Sequence, residues 1–235
     1  MKLVGVDGCK SGWVAAESNQ TLSRVTFRVH PTFASLLKSY QASPTILVVD
    51  MPIGLMEADA RACDRAAREK LGSPRCTSVF SAPCRAVLKA KSYEEACERN
   101  LRARGKSLSR QSYGILPKIL EVDRALSGGD FEWIFEGHPE VSFAVLTDEG
   151  RGLVHAKKTA AGERERLALL PGVLGRIEPD EERKKLSPAR LGRDDLIDAL
   201  ACLSTAHRIF RKKALMLPAA PALKDKQGLR MAIVA

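Results

Sequence analysis

The sequence is poor in aromatic residues and has no cysteine pattern that would hold a metal. Aromatic side chains make up 5% of the chain, so the composition does not indicate a stacking surface for single-stranded nucleic acid. None of the six cysteines belongs to a Cys-x-x-Cys motif, which argues against a zinc site and favours buried, reduced thiols in a cytoplasmic protein. These cysteines are Cys9, Cys63, Cys76, Cys84, Cys97 and Cys202.

Long apolar runs are missing as well. No stretch reaches the roughly 18 apolar residues of a membrane-spanning helix, so we expect no membrane segment. The apolar run at the N-terminus is too short for a signal peptide and is interrupted by Asp7. With 235 residues, 45% of them hydrophobic and 28% charged, the chain has the composition of one large globular domain, residues 1–235.

Positive charge is concentrated in one part of the chain. The formal net charge is +10, and residues 59–118 contain 14 Lys and Arg against 6 Asp and Glu. The remainder has 24 basic and 22 acidic residues, so most of the excess lies in this one segment. Such a concentration favours nucleic acid or another phosphate-bearing partner, although a solvated basic face of surface helices explains it equally well.

The pattern of apolar residues predicts an α/β fold. Two strands around the Gly8–Gly12 turn form an antiparallel hairpin, and a third, alternating strand follows at 22–29. A short helix to about Tyr40 leads to an apolar strand at 46–50. The resulting order, β-β-β-α-β, is typical of a mixed sheet with helices packed on its faces.

The rest of the chain is predicted to complete this sheet. Residues 57–128 form a basic helical insertion, and a fifth strand follows at 131–136. Further helices are expected at 159–170 and 194–211, with a last edge strand at 227–234. Apart from this edge strand, we therefore expect a five-stranded mixed core sheet with helices on both faces.

Acidic residues follow two of the apolar strands and begin the last helix. Asp7 ends the first strand and Asp50 the fourth, and ligands gather at such strand ends in α/β sheets. If these strands are neighbours, the two carboxylates repel each other unless a cation lies between them. Asp194, Asp195 and Asp198 share one face of the last helix; capping and the macrodipole account for the first two, but less readily for the third. Carboxylates from three distant segments are a ligand set for Mg²⁺ or Mn²⁺.

Several short motifs occur together over residues 1–213, from the first strand to the last helix. They are Val6-Asp7-Gly8, Val49-Asp50-Met51-Pro52-Ile53-Gly54, Arg61-Ala62-Cys63-Asp64, Ser78-Val79-Phe80 with Pro83 and Arg85, Glu136-Gly137-His138-Pro139-Glu140-Val141-Ser142-Phe143, Lys157-Lys158-Thr159, and the Asp194-Asp195 helix with its Asp-x-x-Asp-Ala-Leu-Ala sequence. Their order and number resemble the RNase H-like superfamily, in particular its branch of RuvC-type resolvases. The chain resembles an uncharacterised bacterial family of predicted RNase H-like nucleases more than it resembles the resolvases.

This resemblance implies an RNase H-like fold and a metal-dependent site. Asp7, Asp50, Asp195 and Asp198 would be the catalytic and metal-binding residues, with Mg²⁺ or Mn²⁺ as the cofactor. The chain departs from the resolvases at Asp50, because those proteins have Glu at the end of the fourth strand. We expect Glu136, as a metal ligand, or Glu140, as a catalytic residue, to fill the gap that the shorter side chain leaves. Resolvases form homodimers, so the resemblance is also consistent with a homodimer of this chain.

Five further residues are candidate substrate contacts. They are Lys10, Arg85, His138, Lys157 and Lys158. Arg85 is suited to grip a phosphate as a bidentate donor. His138 is either a general base or orienting group, or a turn residue before a helix. The two adjacent lysines either contact phosphate or form an exposed turn.

Three functions are consistent with these features. The first is a metal-dependent nuclease or phosphodiesterase, and the second is a non-catalytic RNase H-like module that binds nucleic acid or protein. The third is a phosphotransferase, because the hairpin at residues 7–12 resembles the phosphate-binding hairpin of actin and the sugar kinases. Length disfavours the third, since those enzymes pair two such cores. Ser78, Phe80 and Trp13 are interpreted as packing and turn residues.

Overall fold

The structure is a computed structural model, and it describes residues 1–175, 177–186, 191–219 and 221–235. The chain adopts an α/β fold around a mixed sheet. The strands are β1 (Lys2–Cys9), β2 (Gly12–Asn19), β3 (Thr26–His30), β4 (Thr45–Val49), β5 (Ile134–Gly137), β6 (Met216–Leu217), β7 (Leu223–Lys224), β8 (Arg230–Met231) and β9 (Ile233–Val234).

Helices connect and cover these strands. They are α1 (Phe33–Tyr40), α2 (Ala62–Leu71), α3 (Tyr93–Arg104), α4 (Arg110–Gly114), α5 (Leu116–Leu126), α6 (Pro139–Ala144), α7 (Ala160–Leu169), α8 (Pro171–Leu174), α9 (Pro179–Leu186) and α10 (Arg193–Phe210), with 3₁₀ helices at Arg75–Ser78 and Arg85–Lys89. In the described parts of the chain, no helix has both the length and the apolar character needed to cross a membrane.

The main sheet has the strand order β3-β2-β1-β4-β5-β9-β6. Strands β1, β4, β5 and β9 are parallel to their neighbours in this series, whereas β2, β3 and β6 pair antiparallel. The predicted order β-β-β-α-β at the start of the chain is therefore present. The prediction of five strands is wrong, because the described residues place seven in this sheet. The additional strands come from the C-terminal part. Strand β9 falls within the strand predicted at 227–234, but it lies inside the sheet instead of at the predicted edge, which β6 forms.

Each face of the sheet carries its own hydrophobic cluster. On one face, Val4 and Val6 of β1 pack with α1 and α5. On the opposite face, Leu3 and Val14 pack with α10, whose apolar residues include Leu196 and Leu200. The alternation along β1 thus fixes which side of the sheet α10 covers.

Gly5 allows α10 to lie directly against β1. A Cβ atom at residue 5 would overlap the carbonyl oxygen of Ala199 and the backbone nitrogen of Leu203. Only glycine permits so close an approach of helix and strand backbones. The contact holds the first half of α10 beside the carboxyl end of β1, which positions the acidic residues described below.

The helical segment between β4 and β5 packs directly on the core. Glu121 of α5 accepts hydrogen bonds from the Trp13 indole (Nε1 to Oε2, 3.0 Å) and from the backbone nitrogen of Phe33 (2.6 Å). Within the segment, the side chain of Ser92 accepts a hydrogen bond from the backbone nitrogen of Glu95 and caps α3. Residues of this segment consequently overhang the carboxyl ends of β1 and β4.

Candidate functional site: a carboxylate cluster in a cleft

Asp7 and Asp50 lie side by side at the carboxyl ends of adjacent parallel strands. In the register of β1 and β4, Val6 is opposite Val49, and the backbone nitrogen of Asp50 donates to the carbonyl of Val6 at 2.9 Å. Asp7 is buried, and its Oδ1 accepts a hydrogen bond from the backbone nitrogen of Gly8 at 2.7 Å. Strand pairing alone is therefore enough to bring these two carboxylates together.

Asp198 completes the cluster from the opposite direction. It lies in the second turn of α10, one residue before Ala199, which contacts Gly5. Asp7, Asp50 and Asp198 each offer one carboxylate oxygen, and these three oxygens lie within 4.8 Å of one another. Residues from the beginning, the middle and the end of the chain thus form one acidic group.

Burial and mutual repulsion make these carboxylates unusually hard to ionise. Burial, followed by the charges of Asp50 and Asp198, raises the pKa of Asp7 well above its ordinary value. Burial raises the pKa of Asp50 to about 6 and that of Asp198 to about 7, although Lys157 opposes both shifts. A cation placed among the carboxylates would favour their charged forms.

Lys157 is the counter-charge that this cluster already has. Its ammonium is ion-paired with Oδ2 of Asp198, while Oδ1 of Asp198 is buried without a hydrogen-bond partner among the described residues. One ammonium does not balance three carboxylates. An orphaned carboxylate oxygen beside two further hard oxygen donors fits a divalent cation such as Mg²⁺ or Mn²⁺.

Asp195 lies near the three carboxylates but is not part of their group. Its Oδ2 accepts a hydrogen bond from the backbone nitrogen of Gly192 at 2.7 Å, which caps the start of α10. Burial raises the pKa of this half-buried carboxyl, and the Gly192 bond opposes the shift. Helix capping explains its position, so the structure gives no support to its expected place in the metal-binding set.

Glu136 is held by an arginine rather than left free for a metal. Its two oxygens accept bonds from the Arg61 guanidinium at 2.7 and 2.6 Å, and Oε2 also accepts from the backbone nitrogen of Ile53 at 2.7 Å. Arg61 pairs with buried Asp64 as well. These contacts occupy three of the about four lone-pair sites of the carboxylate, and Arg61 compensates its charge, which argues against the ligand role expected for Glu136.

Glu140 is engaged in the same way by a different arginine. Nε and Nη2 of the fully buried Arg166 approach its two oxygens, with distances of 2.9 Å to Oε1 and 2.6 Å to Oε2. The third guanidinium nitrogen, Nη1, donates to the carbonyl of Gly162 at 2.7 Å. Glu140 thus joins α6 to α7. Because both of its oxygens are bonded to Arg166, its carboxylate is not free for the catalytic role expected for it.

The carboxylate cluster lies at the bottom of a cleft of about 230 Å³, which we call the acidic cleft. Its wall residues come from strand ends and from the helical segment between β4 and β5. They are Asp7, Gly8, Asp50, Met51, Pro52, Arg61, Asp64, Val79, Phe80, Gln111, Ile115, Lys118, Glu136, Gly137, His138, Lys157, Asp198 and Ile233. An adjoining hollow of about 280 Å³ shares several of these residues and adds Lys158.

Three of the five candidate substrate contacts line the acidic cleft or the adjoining hollow. Lys157 and His138 line both, and Lys158 lines the adjoining hollow. The Nδ1 atom of His138 is buried without a hydrogen-bond partner in the described residues, and burial lowers the pKa of the ring despite nearby Glu140 and Asp198. A neutral imidazole is therefore expected there at pH 7.

The other two candidates lie elsewhere. Lys10 is exposed at the tip of the β1–β2 hairpin and does not line the cleft. Arg85 is ion-paired with Asp123 at 2.9 Å and with Asp225 near the C-terminus. Its guanidinium joins the helical segment to the C-terminal part of the chain, so phosphate would have to displace two carboxylates to reach it.

Sequence reasoning missed Lys118 and Gln111, which the structure places in the cleft wall. The Lys118 ammonium lies 4.4 Å from the centre of the Trp13 ring and donates to the carbonyl of Gly12. Burial lowers the pKa of Lys118, and the charges of Glu121, Cys9 and Asp7 oppose this. Neither residue belongs to a recognisable motif, and only the packing of α4 and α5 over β1 brings them to the site.

Much of the basic charge in residues 59–118 is used within the fold. Arg99 and Arg102 pair with glutamates one turn away on α3, and Arg104 donates to the carbonyl of Ala82. The two pairs on α3 are already counted in the charge balance of the segment. Buried Arg61 and Arg85 are also ion-paired with acids outside it, Glu136, Asp123 and Asp225, and these pairs offset part of the excess. The concentration of positive charge in the sequence therefore overstates what a phosphate-bearing partner would meet.

Comparison with known proteins gives a family without an assigned activity. Residues 5–223 match the family described as "Protein of unknown function (DUF429)". Because this match covers most of the chain, the chain belongs to that family. No curated protein and no solved structure matches it.

Proposed function

We propose that the acidic cleft is the active site of a divalent-metal-dependent phosphodiester hydrolase acting on nucleic acid. The description of the family to which the chain belongs names no activity. The observation that carries this proposal is the grouping of Asp7, Asp50 and Asp198, one oxygen from each lying within 4.8 Å of the others in an open cleft. Buried like charges at this spacing are costly for folding, which suggests a functional reason for keeping them.

The three carboxylates of the cluster repel one another, whereas their oxygens are suitable ligands for a hard cation. Asp198 has one buried oxygen without a partner among the described residues, and Asp7 and Asp50 add two carboxylates with raised pKa values. A divalent cation held by these three residues would supply the positive charge that polarises a phosphodiester and activates water. No cysteine or histidine ligand lies in this group, which favours Mg²⁺ or Mn²⁺ over softer metals.

Groups of the chain itself are suited to hold a substrate phosphate beside the cluster. Lys157 and Lys118 line the acidic cleft, and Lys158 lines the adjoining hollow. Their ammonium groups can attract a phosphate electrostatically and hold it near the carboxylates. His138, neutral and with an unpartnered Nδ1, is suited to accept a proton or a hydrogen bond from a substrate or water.

The fold is compatible with the RNase H-like core that we propose for this hydrolase. The strand order β3-β2-β1-β4-β5, with β2 antiparallel to β1 and parallel strands beyond it, agrees with the expected β-β-β-α-β start. Acids at the ends of β1 and β4 and on the last long helix occupy the places that the resemblance to RuvC-type resolvases assigns to metal ligands. Of the residues that the sequence analysis expected in the metal site or as catalytic groups, Asp195, Glu136 and Glu140 are left out.

One contact favours a second candidate, a non-catalytic nucleic-acid-binding module. The ion pair between Lys157 and Asp198 places a protein cation on one oxygen of the cluster. In such a module, Lys157 would take the role of a metal ion. The two candidates differ in a single measurable property, which is whether the cluster binds a divalent cation.

The experiment therefore compares metal binding with hydrolysis in the purified full chain. Mn²⁺ binding is measured by titration calorimetry, and cleavage is measured on labelled DNA and RNA. We expect Asp7→Asn, Asp50→Asn and Asp198→Asn each to weaken Mn²⁺ binding and cleavage by more than about 100-fold. Asp194→Asn, which changes an exposed carboxylate on the same helix, is the matched control and should retain both.

The outcomes separate the candidates cleanly. Wild-type protein that binds Mn²⁺ and cleaves, with loss of both in the three cluster variants only, supports the hydrolase. Nucleic-acid binding without Mn²⁺ binding or turnover favours the module. Cleavage that survives all three substitutions would place the active site elsewhere.

A further inference from the structure

Phe80 is unlike the other aromatic residues in its surroundings. The chain has 2 Trp, 3 Tyr and 7 Phe, and all of them lie in described regions. The others either pack in or against a hydrophobic cluster or, like Tyr93, pair with another ring. Among these rings, Phe80 alone does neither, and it lies half-buried in the wall of both the acidic cleft and the adjoining hollow. Core packing, the interpretation given to Phe80 from sequence, therefore does not explain its position, whereas Trp13 is fully buried as expected.

Gln111 accompanies Phe80 in both cavities. It lies on α4, is exposed, and makes no hydrogen bond through its amide within the described part of the chain. The helical segment between β4 and β5 thus contributes an aromatic ring and an amide without a hydrogen bond among the described residues to the cavities that the carboxylates also line. An aromatic ring with a neighbouring amide can bind a planar, hydrogen-bonding group such as a nucleobase.

We propose that the acidic cleft takes a single unpaired nucleotide, whose base lies against the Phe80 ring with its edge toward the Gln111 amide. The placing of its phosphate at Asp7, Asp50 and Asp198 rests on the proposed function. A base inside a duplex has both faces stacked and its pairing edge occupied, so only an unpaired or flipped-out base offers a face and an edge together. The two adjoining cavities, of about 230 and 280 Å³, are each slightly smaller than the roughly 300–1,000 Å³ of small-ligand sites, a scale that suits one nucleotide and not a duplex.

The test measures binding of short labelled single strands and of the matching duplexes to the full chain. Ca²⁺ replaces Mg²⁺, so that binding is measured without turnover. We expect single strands to bind more tightly than duplexes. Phe80→Leu keeps an apolar side chain but removes the aromatic face, and should weaken single-strand binding by roughly 5- to 100-fold. Phe80→Tyr keeps the aromatic ring and should bind single strands as the wild type does. Leu101→Ala removes an exposed leucine on α3 and should also leave single-strand binding unchanged.

A second variant tests the base edge. Gln111→Ala should reduce the differences in affinity among homopolymers of different bases, because an amide reads donor and acceptor patterns. Unchanged preferences would overturn the role given to Gln111. Melting temperatures of all variants, measured without ligand, show that each is folded; Phe80 and Gln111 lie outside the core, so these substitutions should be tolerated.

Failure of this inference can be told apart from failure of the proposed function. Wild-type-like single-strand binding by Phe80→Leu, or tighter binding of duplexes, overturns the inference even if Asp50→Asn abolishes cleavage and the hydrolase stands. Single-strand binding that depends on the Phe80 ring but persists without Mn²⁺ affinity or cleavage supports the inference and rejects the hydrolase. Absence of nucleic-acid binding under all conditions overturns both.

Discussion

Lys157 is ion-paired with Oδ2 of Asp198, whereas Oδ1 of the same carboxylate is buried without a hydrogen-bond partner among the described residues. The carboxylate is therefore only half compensated, and Asp7 and Asp50 add two further acids beside it. Unpaired charge in a buried site destabilises the folded protein. The metal-free protein should reveal this through its stability, independently of any assay of activity.

The first prediction concerns the pH dependence of that stability. Folding raises the pKa of Asp50 to about 6 and that of Asp198 to about 7, so the folded protein holds protons that the unfolded chain releases. The free energy of unfolding contributed by these groups therefore falls as pH rises from about 4 through about 7, and is constant above that range. Urea denaturation at several pH values, with a chelator present, measures this slope.

The control for this prediction is Asp50→Asn, which removes one charge while keeping the size of the side chain. Between pH 5.5 and 8, the variant should become more stable relative to the wild type as pH rises, because only the wild type carries the full repulsion. Using the difference between the two proteins cancels the titration of other groups. A variant that is uniformly less stable than the wild type would mean that repulsion in the cluster is negligible.

The second prediction is that divalent cations reverse this instability. At a Mn²⁺ concentration of about 100 times its dissociation constant, binding to the folded state alone adds about 2.7 kcal/mol. For a chain of this size, that raises the melting temperature by about 5–10 °C. The effect should diminish as pH falls through about 7 toward 5, since protons compete for the carboxylates of Asp50 and Asp198. Differential scanning fluorimetry with Mn²⁺, Mg²⁺ and K⁺ provides the measurement. An equal shift in Asp198→Asn would show that the cation binds elsewhere.

Local patterns pointed to Asp7, Asp50 and the acidic start of the last helix, but they did not separate Asp198 from Asp195. Asp7 and Asp50 end apolar strands, and Asp198 follows the amphipathic period of its helix, so each signal lies within a few residues. The arginine partners of the glutamates could not be found this way. Arg61 lies 75 residues from Glu136 and Arg166 lies 26 residues from Glu140, and no periodic pattern connects such distant charges. Strand β6 has two residues, too few for alternation to be visible. Strand β9 lies within the predicted strand at 227–234, but no local pattern shows that it pairs on both sides.

The third prediction separates these paired glutamates from the cluster. Glu136→Gln weakens a buried, charge-assisted contact with Arg61, and should lower the free energy of unfolding by roughly 1.5–3 kcal/mol. Both Glu136 oxygens already accept hydrogen bonds from Arg61, so we expect the dissociation constant for Mn²⁺ to stay within about threefold of wild type. Removing even an outer-shell partner of a metal ligand typically weakens metal affinity by roughly tenfold or more. Calorimetric titration at a temperature where the variant is folded tests this. Loss of Mn²⁺ binding comparable to that of Asp50→Asn would restore Glu136 as a ligand.

The fourth prediction tests how the fold positions Asp198. In Gly5→Ala, the new methyl group would meet the backbone of Ala199 and Leu203, and backbone cannot move aside as a flexible side chain can. We expect the free energy of unfolding to fall by an amount at or above the upper end of the roughly 1–3 kcal/mol that is typical of overpacking. Displacement of α10 from β1 should also move Asp198 away from Asp7, so Mn²⁺ affinity should fall together with stability.

Gly114→Ala is the matched control for this substitution. Gly114 ends α4, and a Cβ atom there would have nothing within 4 Å. Adding a methyl group at such a position should leave stability unchanged or raise it by about 0.5–1 kcal/mol, because alanine loses less backbone entropy on folding than glycine. If Gly5→Ala instead melted like Gly114→Ala and bound Mn²⁺ normally, α10 could not lie against β1 as described, and the grouping of the three carboxylates would lose its structural basis.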